Sequence, residues 1–208
     1  MPIAERKDIS PGTFIGTWEV TESLEELEQA YRMPEEEIAV YAAFAHPFRK
    51  TQWLATRLLL NEILPGTKIV YDANGKPWAD GSGVHLSISH SGPFISIMIS
   101  DSPCGVDIEL IREKIDRIAP RFLNAEELES SRKEPAIERM HVYWCVKEAI
   151  YKIYGCKEVS FRTDIFVAKV NNVEQGNVSA SLRRNGIWEK KQVSYSRFRD
   201  CMMAWVRS

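Results

Sequence analysis

Apolar and polar residues alternate along this chain with two different periods, and each period predicts its own type of element. A period near 3.6 residues predicts helices over residues 23–32, from about Glu35 onward, over Arg49–Leu64, through most of 111–130 and over 136–154. Alternation with period two predicts strands at residues 14–20, over 68–99 and over 163–208. Helices are therefore followed by strands twice, an order that predicts an α+β fold.

Local signals mark where several of these elements begin and end. Ser23 and Glu26 form the pattern of a capping box at a helix start. Pro65-Gly66 ends the helix over Arg49–Leu64, and Gly155 is placed to end the helix over 136–154. Asn185-Gly186 lies between two alternating segments and predicts a hairpin turn.

The composition is that of a soluble globular protein, with 44% hydrophobic and 27% charged residues among 208. No apolar run is long enough to span a membrane, and the N-terminal residues lack the apolar core of a signal peptide, so we expect a cytoplasmic protein without a membrane partner. The net charge of −2 argues against a nucleic-acid partner bound through a broad basic field. The cysteines show no CxxC spacing and are expected to be reduced: Cys104, Cys145, Cys156 and Cys201.

The segment Gly105–Glu109 alternates apolar and acidic residues. On a strand, Asp107 and Glu109 would project from the same face with Cα atoms about 6–7 Å apart. Taken alone, this pair is more typical of a solvated strand face. Two carboxylates so close repel each other unless a positive group lies between them, and Mg²⁺ in phosphate chemistry is commonly held by one or two carboxylates.

A second candidate group lies on the helix over 136–154. Trp144, Glu148 and Lys152 follow each other at intervals of four residues and would form one stripe. A surface pair of Glu148 and Lys152 is the simpler interpretation of this spacing. A third carboxylate that faced Asp107 and Glu109 would instead complete a cation site, with Lys152 near a phosphate oxygen.

Further candidates for binding an anion lie at strand ends, turns and helix surfaces. Ser87 and Ser89 share one face of a strand, and His90 stands where that strand is predicted to end. Lys76 follows a tight turn. The sequence does not decide whether the basic residues beside the apolar helix are solvated or directed at phosphate: Arg49, Lys50 and Arg57.

Five motifs stand in an order that resembles one enzyme family. They are Lys76-Pro77-Trp78, Ser87-Ile88-Ser89-His90-Ser91, Gly105-Val106-Asp107-Ile108-Glu109, Arg121-Phe122-Leu123-Asn124-Ala125-Glu126-Glu127 and Trp144-x-x-Lys147-Glu148-x-x-x-Lys152. Together they resemble the 4′-phosphopantetheinyl transferases of the surfactin-synthetase-activating and enterobactin-type branch, over about residues 49–165. The run Arg49-Lys50, with Arg57, also resembles the enterobactin-type members.

The resemblance implies a pseudo-dimer of two similar lobes, each a helix on a small antiparallel sheet, with an active-site cleft between domains 1–104 and 105–208. It implies a holo-[acyl-carrier-protein] synthase type of enzyme, which transfers the 4′-phosphopantetheine arm of coenzyme A to a serine of an acyl or peptidyl carrier protein and releases 3′,5′-ADP. Asp107, Glu109 and Glu148 would bind Mg²⁺. The residues implied to contact coenzyme A are Lys76, Ser89, His90 and Lys152.

Two parts of this assignment stay open. The serine proton needs an acceptor, and both Glu148 and Glu127 acting through a water are candidates. The family places lysines before the Arg49 region to hold the 3′-phosphate, whereas this chain has the acidic run Glu35-Glu36-Glu37 there. Arg32, Arg49 or Lys50 would then take over that contact, or the 3′-phosphate is held less tightly.

A carrier-docking surface is a further hypothesis. Carrier proteins are typically acidic, and Ile111–Ile118 offers isoleucines at helical spacing with basic residues between them. A helix that packs on its own lobe explains the same pattern.

Two other classes of function compete with the transferase: a non-catalytic carrier-binding module with a relict cleft, and a metal-dependent nucleotide hydrolase. An internal pseudo-dimer would also be complete as a monomer, which is the state that we expect.

Overall fold

The computed structural model of this chain describes residues 4–155 and 159–208. The first half contains, in order, β1 (Glu5–Ser10), β2 (Thr13–Glu19), α1 (Leu24–Ala30), α2 (Glu35–Ala42), α3 (Pro47–Ile63), β3 (Ile69–Tyr71), β4 (Pro77–Ala79), β5 (His85–Ser91) and β6 (Phe94–Ser100). The second half contains β7 (Cys104–Leu110), α4 (Ile115–Phe122), α5 (Ala125–Ser131), α6 (Ala136–Tyr154), β8 (Ile165–Val167), β9 (Gln175–Arg184), β10 (Ile187–Phe198) and β11 (Cys201–Arg207).

Two antiparallel sheets divide the molecule. The first has the strand order β1-β2-β6-β5, the second has the order β7-β11-β10-β9-β8, and β3 pairs with β4 in a separate ribbon. The long helix α3 packs on the first sheet and α6 packs on the second. Each lobe is thus a helix on an antiparallel sheet, which confirms the predicted α+β fold class. The predicted boundary between residues 104 and 105 falls at the start of β7, and the division into two domains stays a prediction.

Several predicted element ends are confirmed by the hydrogen bonds that form them. Glu26 N–H donates to Ser23 Oγ, and Ser23 N–H donates to the Glu26 carboxylate, so the capping box of α1 is complete. Helix α6 spans residues 136–154 as predicted and ends at Gly155, whose φ of 63° suits a residue without a side chain. Asn185 and Gly186 both have positive φ in the tight turn between β9 and β10.

Strand β1 is absent from the predicted elements because its sequence does not alternate. Its residues Glu-Arg-Lys-Asp-Ile-Ser are mostly polar, which suits an edge strand that one neighbour alone holds in place. Backbone pairing with β2 holds β1 in place. Lys7 adds contacts to the other lobe: its Nζ donates to Ser196 Oγ and lies 4.6 Å from the Trp205 ring centroid.

The helical stretch predicted over 111–130 consists of two helices, α4 and α5, separated at Leu123-Asn124. Ile111 precedes α4, Ile115 is buried, and Ile118 packs partly buried against the core of the second lobe. A helix that packs on its own lobe therefore accounts for the buried Ile115, whereas the docking surface over Ile111–Ile118 stays a prediction.

Two predictions from composition bear on the rest of the chain. Cys104, Cys145 and Cys201 are buried free thiols, as predicted, whereas Cys156 lies outside the described residues. Within residues 4–155 and 159–208, no helix is both long enough and apolar enough to cross a bilayer.

Candidate active site

Asp107 on β7 links the two lobes. Its Oδ1 accepts a hydrogen bond of 2.7 Å from Ser89 Oγ on β5 and another of 2.7 Å from Lys152 Nζ on α6. The residue is only 3% exposed, and its Oδ2 is buried without a hydrogen-bond partner in the described part of the chain. Such an oxygen is costly unless another group satisfies it.

Glu109 lies two residues further along the same face of β7. Its Oε2 accepts a hydrogen bond from Ser91 Oγ at 2.8 Å, and its Oε1 accepts one from Trp144 Nε1 at 3.3 Å. Burial raises the pKa of the Glu109 carboxyl, and the negative charge of Asp107 raises this pKa further. The alternation of the acidic strand thus places both carboxylates side by side, as predicted.

Helix α6 supplies the third carboxylate of this group. Burial raises the pKa of Glu148 to about 7, the charge of Asp107 also raises it, and the charge of Lys152 lowers it. Trp144 reaches Glu109, while Lys152 Nζ reaches Asp107 and donates to the Val106 carbonyl at 2.9 Å. The stripe of Trp144, Glu148 and Lys152 therefore faces the acidic strand.

The chemistry of these donors fits a magnesium ion. They are carboxylate oxygens, the ligands that Mg²⁺ prefers, and Asp107 Oδ2 has no donor among the described residues. Across those residues, no three His, Cys, Asp or Glu side chains converge tightly enough to enclose a cation. Mg²⁺ in phosphate chemistry usually takes one or two carboxylates and completes its shell with substrate oxygens and water. Asp107, Glu109 and Glu148 as ligands thus stay a prediction.

Ser89 has both of its hydrogen-bonding functions in use. The hydroxyl donates to Asp107 Oδ1 and accepts from Ile108 N–H at 3.2 Å, and the residue is buried. The structure therefore places Ser89 as a support for the acidic strand. Its predicted contact with coenzyme A would require one of these bonds to be exchanged.

His90 faces a cavity of about 260 Å³ beside α3. The Gln52 carbonyl accepts a hydrogen bond from Arg49, so the Gln52 amide nitrogen donates to His90 Nδ1, at 3.2 Å. This arrangement leaves the imidazole proton on Nε2. Partial desolvation lowers the pKa of His90, and the charges of Arg49 and Lys152 also lower it, whereas its own backbone and the charge of Asp107 raise it. The ring is thus a neutral hydrogen-bond donor at neutral pH.

Two further basic candidates for binding the phosphates of coenzyme A are engaged within the first lobe. Arg57 lines the same cavity, but its guanidinium donates to Glu37 at 2.8 Å and stacks over Trp53. Lys50 Nζ lies 4.8 Å from the centroid of the Tyr41 ring. The acidic helix α2 therefore neutralises one of the charges expected to bind phosphate.

A second cavity, of about 200 Å³, shares Gly75, Pro77 and Ile88 with the first cavity. Lys76 and Lys152 line it from opposite lobes. Lys76 Nζ also donates to the Ile153 carbonyl in the last turn of α6, where the helix dipole favours a positive charge. The positive side chains of the predicted site thus lie on both walls of one cleft.

A third cavity, of about 500 Å³, shares Tyr151 with the second cavity and is largely aromatic. Phe122, Trp144 and Phe161 form its walls, and Glu148 lies among them. The cavity walls therefore change from basic at Lys152 to aromatic at Trp144 along α6, and Glu148 is the carboxylate that lines the aromatic part.

Glu127 does not lie with these residues. Its Oε2 accepts a hydrogen bond from Lys147 Nζ at 2.6 Å, and its Oε1 accepts one from Val167 N–H at 2.8 Å. Lys147 is fully buried and also donates to three backbone carbonyls, those of Phe122, Phe161 and Ile165. Both carboxylate oxygens are thus occupied where α5 and β8 pack on α6, and Glu127 is not placed to accept the serine proton.

The sequence indicated neither of two contacts at this site. Gln52 contacts Arg49 and His90. It is a polar residue on the apolar side of α3, and this unusual position is the sequence feature that could have pointed to it. Ser91 continues the spacing of Ser87 and Ser89 by one more step, but its contact with Glu109 requires β5 and β7 to be neighbours.

Comparison with known proteins finds matches over the part of the chain that contains this site. The model of the 4′-phosphopantetheinyl transferase superfamily matches residues 103–202, which include β7 and α6. The 4′-phosphopantetheinyl transferase psf-1 of Bacillus pumilus is 32% identical over 142 residues, 60% of each chain. The 4′-phosphopantetheinyl transferase Sfp of Bacillus subtilis is 31% identical over 112 residues, 52% of this chain and 49% of that one. The chain therefore spans about half to 60% of the length of these relatives.

A solved structure, the holo-[acyl-carrier-protein] synthase of Thermotoga maritima, aligns with a TM-score of 0.42 at 22% identity, over 50% of this chain and 61% of that one. The superfamily match covers the strand and the helix that hold Asp107, Glu109, Glu148 and Lys152. The superfamily match and the curated relatives therefore support the 4′-phosphopantetheinyl transferase superfamily, and its surfactin-activating branch, as the family that this chain is similar to.

Proposed function

We propose that this protein transfers the 4′-phosphopantetheine arm of coenzyme A to a serine of a carrier protein, in a reaction that depends on Mg²⁺. The observation that carries the proposal is the buried carboxylate of Asp107, with one oxygen held by Lys152 and Ser89 and the other without a partner in the described residues. Two residues of α6 that interact with this carboxylate line different cavities: Lys152 lines the basic second cavity, and Glu148 lines the aromatic third cavity.

The two parts of the cleft suit the two ends of coenzyme A. The nucleotide end carries phosphates, and Arg49, His90 and Lys76 provide hydrogen-bond donors in the first two cavities. The pantetheine end is largely apolar, and the aromatic walls around Phe122 and Phe161 suit it. The pyrophosphate that joins the two ends would then lie near Lys152 and Asp107.

In the reaction, the serine hydroxyl oxygen forms a bond to the β-phosphorus of coenzyme A. The bond from that phosphorus to the bridging oxygen breaks, and 3′,5′-ADP leaves with the electron pair. Lys152 stabilises the charge that develops on the phosphate oxygens. When bound, Mg²⁺ neutralises charge on the pyrophosphate, and Asp107, Glu109 and Glu148 would hold it.

The serine proton needs an acceptor that a substrate in the cleft can reach. Glu148 lies on the wall of the third cavity, whereas Glu127 is enclosed with Lys147. We therefore assign proton transfer to Glu148.

Incubation of the protein with coenzyme A, Mg²⁺ and several apo carrier proteins tests this function. The intact mass of a carrier should increase by one phosphopantetheine group. Binding of a carrier without a gain in mass would favour a non-catalytic module, and cleavage of coenzyme A without a carrier product would favour a nucleotide hydrolase.

A further inference from the structure

Three serines on β5 hold the acidic strand β7 through their side chains. Ser87, Ser89 and Ser91 lie at alternate positions and therefore on one face of β5. Their hydroxyl oxygens accept hydrogen bonds from successive backbone N–H groups of β7, those of Val106 at 3.0 Å, Ile108 at 3.2 Å and Leu110 at 3.0 Å. We call these three residues the serine ladder.

The serine ladder joins the edges of the two sheets. Strand β5 is the last strand of the first sheet and β7 is the first strand of the second sheet. Each ladder bond links residues 19 apart in sequence, so β5 and β7 run in the same direction. Two edge strands that would otherwise expose unpaired backbone groups thus cover each other.

The ladder also determines where two hydroxyl protons point. A serine hydroxyl has one proton to donate and two lone pairs that accept. Because the backbone N–H of β7 is always the donor, the proton of each serine is free for another acceptor. Ser89 donates to Asp107 Oδ1, and Ser91 donates to Glu109 Oε2 at 2.8 Å.

We propose that Ser91 is a positioning residue, which holds the Glu109 carboxylate in the orientation needed to bind the cation of the transfer reaction. This inference rests on the proposed function, because it takes Glu109 as a cation ligand. Glu109 has a second donor, Trp144 Nε1, on its other oxygen. One donor from each lobe thus fixes the plane of the carboxylate, and a donor that orients a ligand typically changes metal affinity when it is removed.

Ser87 provides the matched control. Its hydroxyl accepts from Val106 N–H at the same distance as that of Ser91 from Leu110 N–H, but in the described residues it contacts no carboxylate. Ser87→Ala and Ser91→Ala therefore each remove one ladder bond, and only Ser91→Ala removes a donor to Glu109. Ser91→Thr retains the hydroxyl group that Ser91→Ala removes, so it should still donate to Glu109.

The experiment measures Mn²⁺ binding by the electron paramagnetic resonance signal of the free ion, Mg²⁺ dependence of carrier modification, and urea unfolding for the wild type and the three variants. We expect Ser91→Ala to weaken Mn²⁺ binding about 10-fold to 100-fold and to raise the half-saturating Mg²⁺ concentration similarly, with the KM for coenzyme A unchanged. Ser91→Thr and Ser87→Ala should bind Mn²⁺ nearly as the wild type does. Both alanine variants should lose similar stability.

Equal Mn²⁺ affinity of Ser91→Ala and Ser87→Ala, or no recovery in Ser91→Thr, would overturn the positioning role. If the wild type modifies a carrier and this pattern is absent, the proposed function stands and the role of Ser91 falls. If the wild type binds Mn²⁺ with this pattern but modifies no carrier, the role of Ser91 stands and the proposed function falls. A wild type that neither binds Mn²⁺ nor depends on Mg²⁺ contradicts both.

Discussion

Lys152 Nζ lies 2.7 Å from Asp107 Oδ1 and joins the last turns of α6 to the centre of β7. The Asp107 side chain is 4% exposed and that of Lys152 is 24% exposed, so solvent screens this ion pair little. The same ammonium group donates to the Val106 carbonyl, which precedes Asp107 in the strand. This pair fixes the distance between the helix and the strand that carry the candidate catalytic carboxylates.

Loss of Lys152 should therefore destabilise the protein through Asp107. We expect Lys152→Ala to lower the free energy of unfolding by about 1–3 kcal/mol, because the carboxylate stays buried without its charged donor. Urea unfolding measures this change. In the double variant Lys152→Ala with Asp107→Asn, most of the lost stability should be regained, because the buried charge is gone. Additive effects of the two substitutions would show that the pair is not coupled.

The pair of Lys147 and Glu127 should be structural in both of its members. Lys147→Met would leave the Glu127 carboxylate buried and unpaired, with an expected cost of about 3–5 kcal/mol in unfolding free energy. Glu127→Gln keeps the hydrogen bond to Val167 N–H and removes the charge. We expect this variant to transfer phosphopantetheine at nearly the wild-type rate per folded molecule, whereas Glu148→Gln should be strongly impaired. If the transfer rate no longer depended on pH in Glu127→Gln but still did in Glu148→Gln, Glu127 would be the base instead of Glu148.

Gly105 allows α6 to approach β7 closely. A Cβ atom at this position would lie within the van der Waals radius of the Ala149 carbonyl, a backbone atom that cannot rotate away. Gly105→Ala should cost about 1–3 kcal/mol in unfolding free energy and displace Glu148 relative to Asp107. Gly16→Ala is a contrasting variant, because the nearest atom to its new Cβ is the flexible Ile63 side chain. Equal losses of unfolding free energy in the two variants would show that a side chain at position 105 does not disturb the packing of α6 on β7.

His141 should make stability depend on pH. Its Nδ1–H donates to the Ile137 carbonyl at 2.8 Å and its Nε2 accepts from Arg112 N–H at 3.3 Å, so the imidazole is held neutral. Burial lowers the pKa of His141 below its ordinary 6.5; the charge of Lys114 also lowers it, whereas the charge of Glu138 raises it. The unfolded chain therefore takes up the proton first as the pH falls.

The contribution of His141 should be complete above pH 6.5 and decrease as the pH falls toward the lower folded-state pKa. Between pH 7.5 and 5.5 the wild type should therefore lose stability through this residue. His141→Gln does not titrate, so urea unfolding at the two pH values should show a smaller difference for this variant. An unchanged pH difference would exclude His141 as its source.

The sequence predicted best those features that arise within a single helix or strand. Alternation placed Asp107 and Glu109 on one strand face, and the interval of four residues placed Glu148 and Lys152 on one helix stripe. Contacts between different elements could not be predicted from the sequence in this way. The interaction of Ser91 with Glu109 depends on two sheet edges that meet in parallel, and the burial of Glu127 depends on Lys147 from another helix. Arg57 shows the same limit, since its partner Glu37 lies on a helix whose acidity could also have meant a solvated surface.

The most direct test of the central claim follows both products of one reaction. The protein is incubated with coenzyme A, Mg²⁺ and an apo carrier, and 3′,5′-ADP and the carrier mass are measured together for the wild type and for Asp107→Asn. We predict equal amounts of 3′,5′-ADP and phosphopantetheinylated carrier from the wild type, and neither product from a folded Asp107→Asn variant. Release of 3′,5′-ADP without modification of any carrier, or full transfer by Asp107→Asn, would contradict the account.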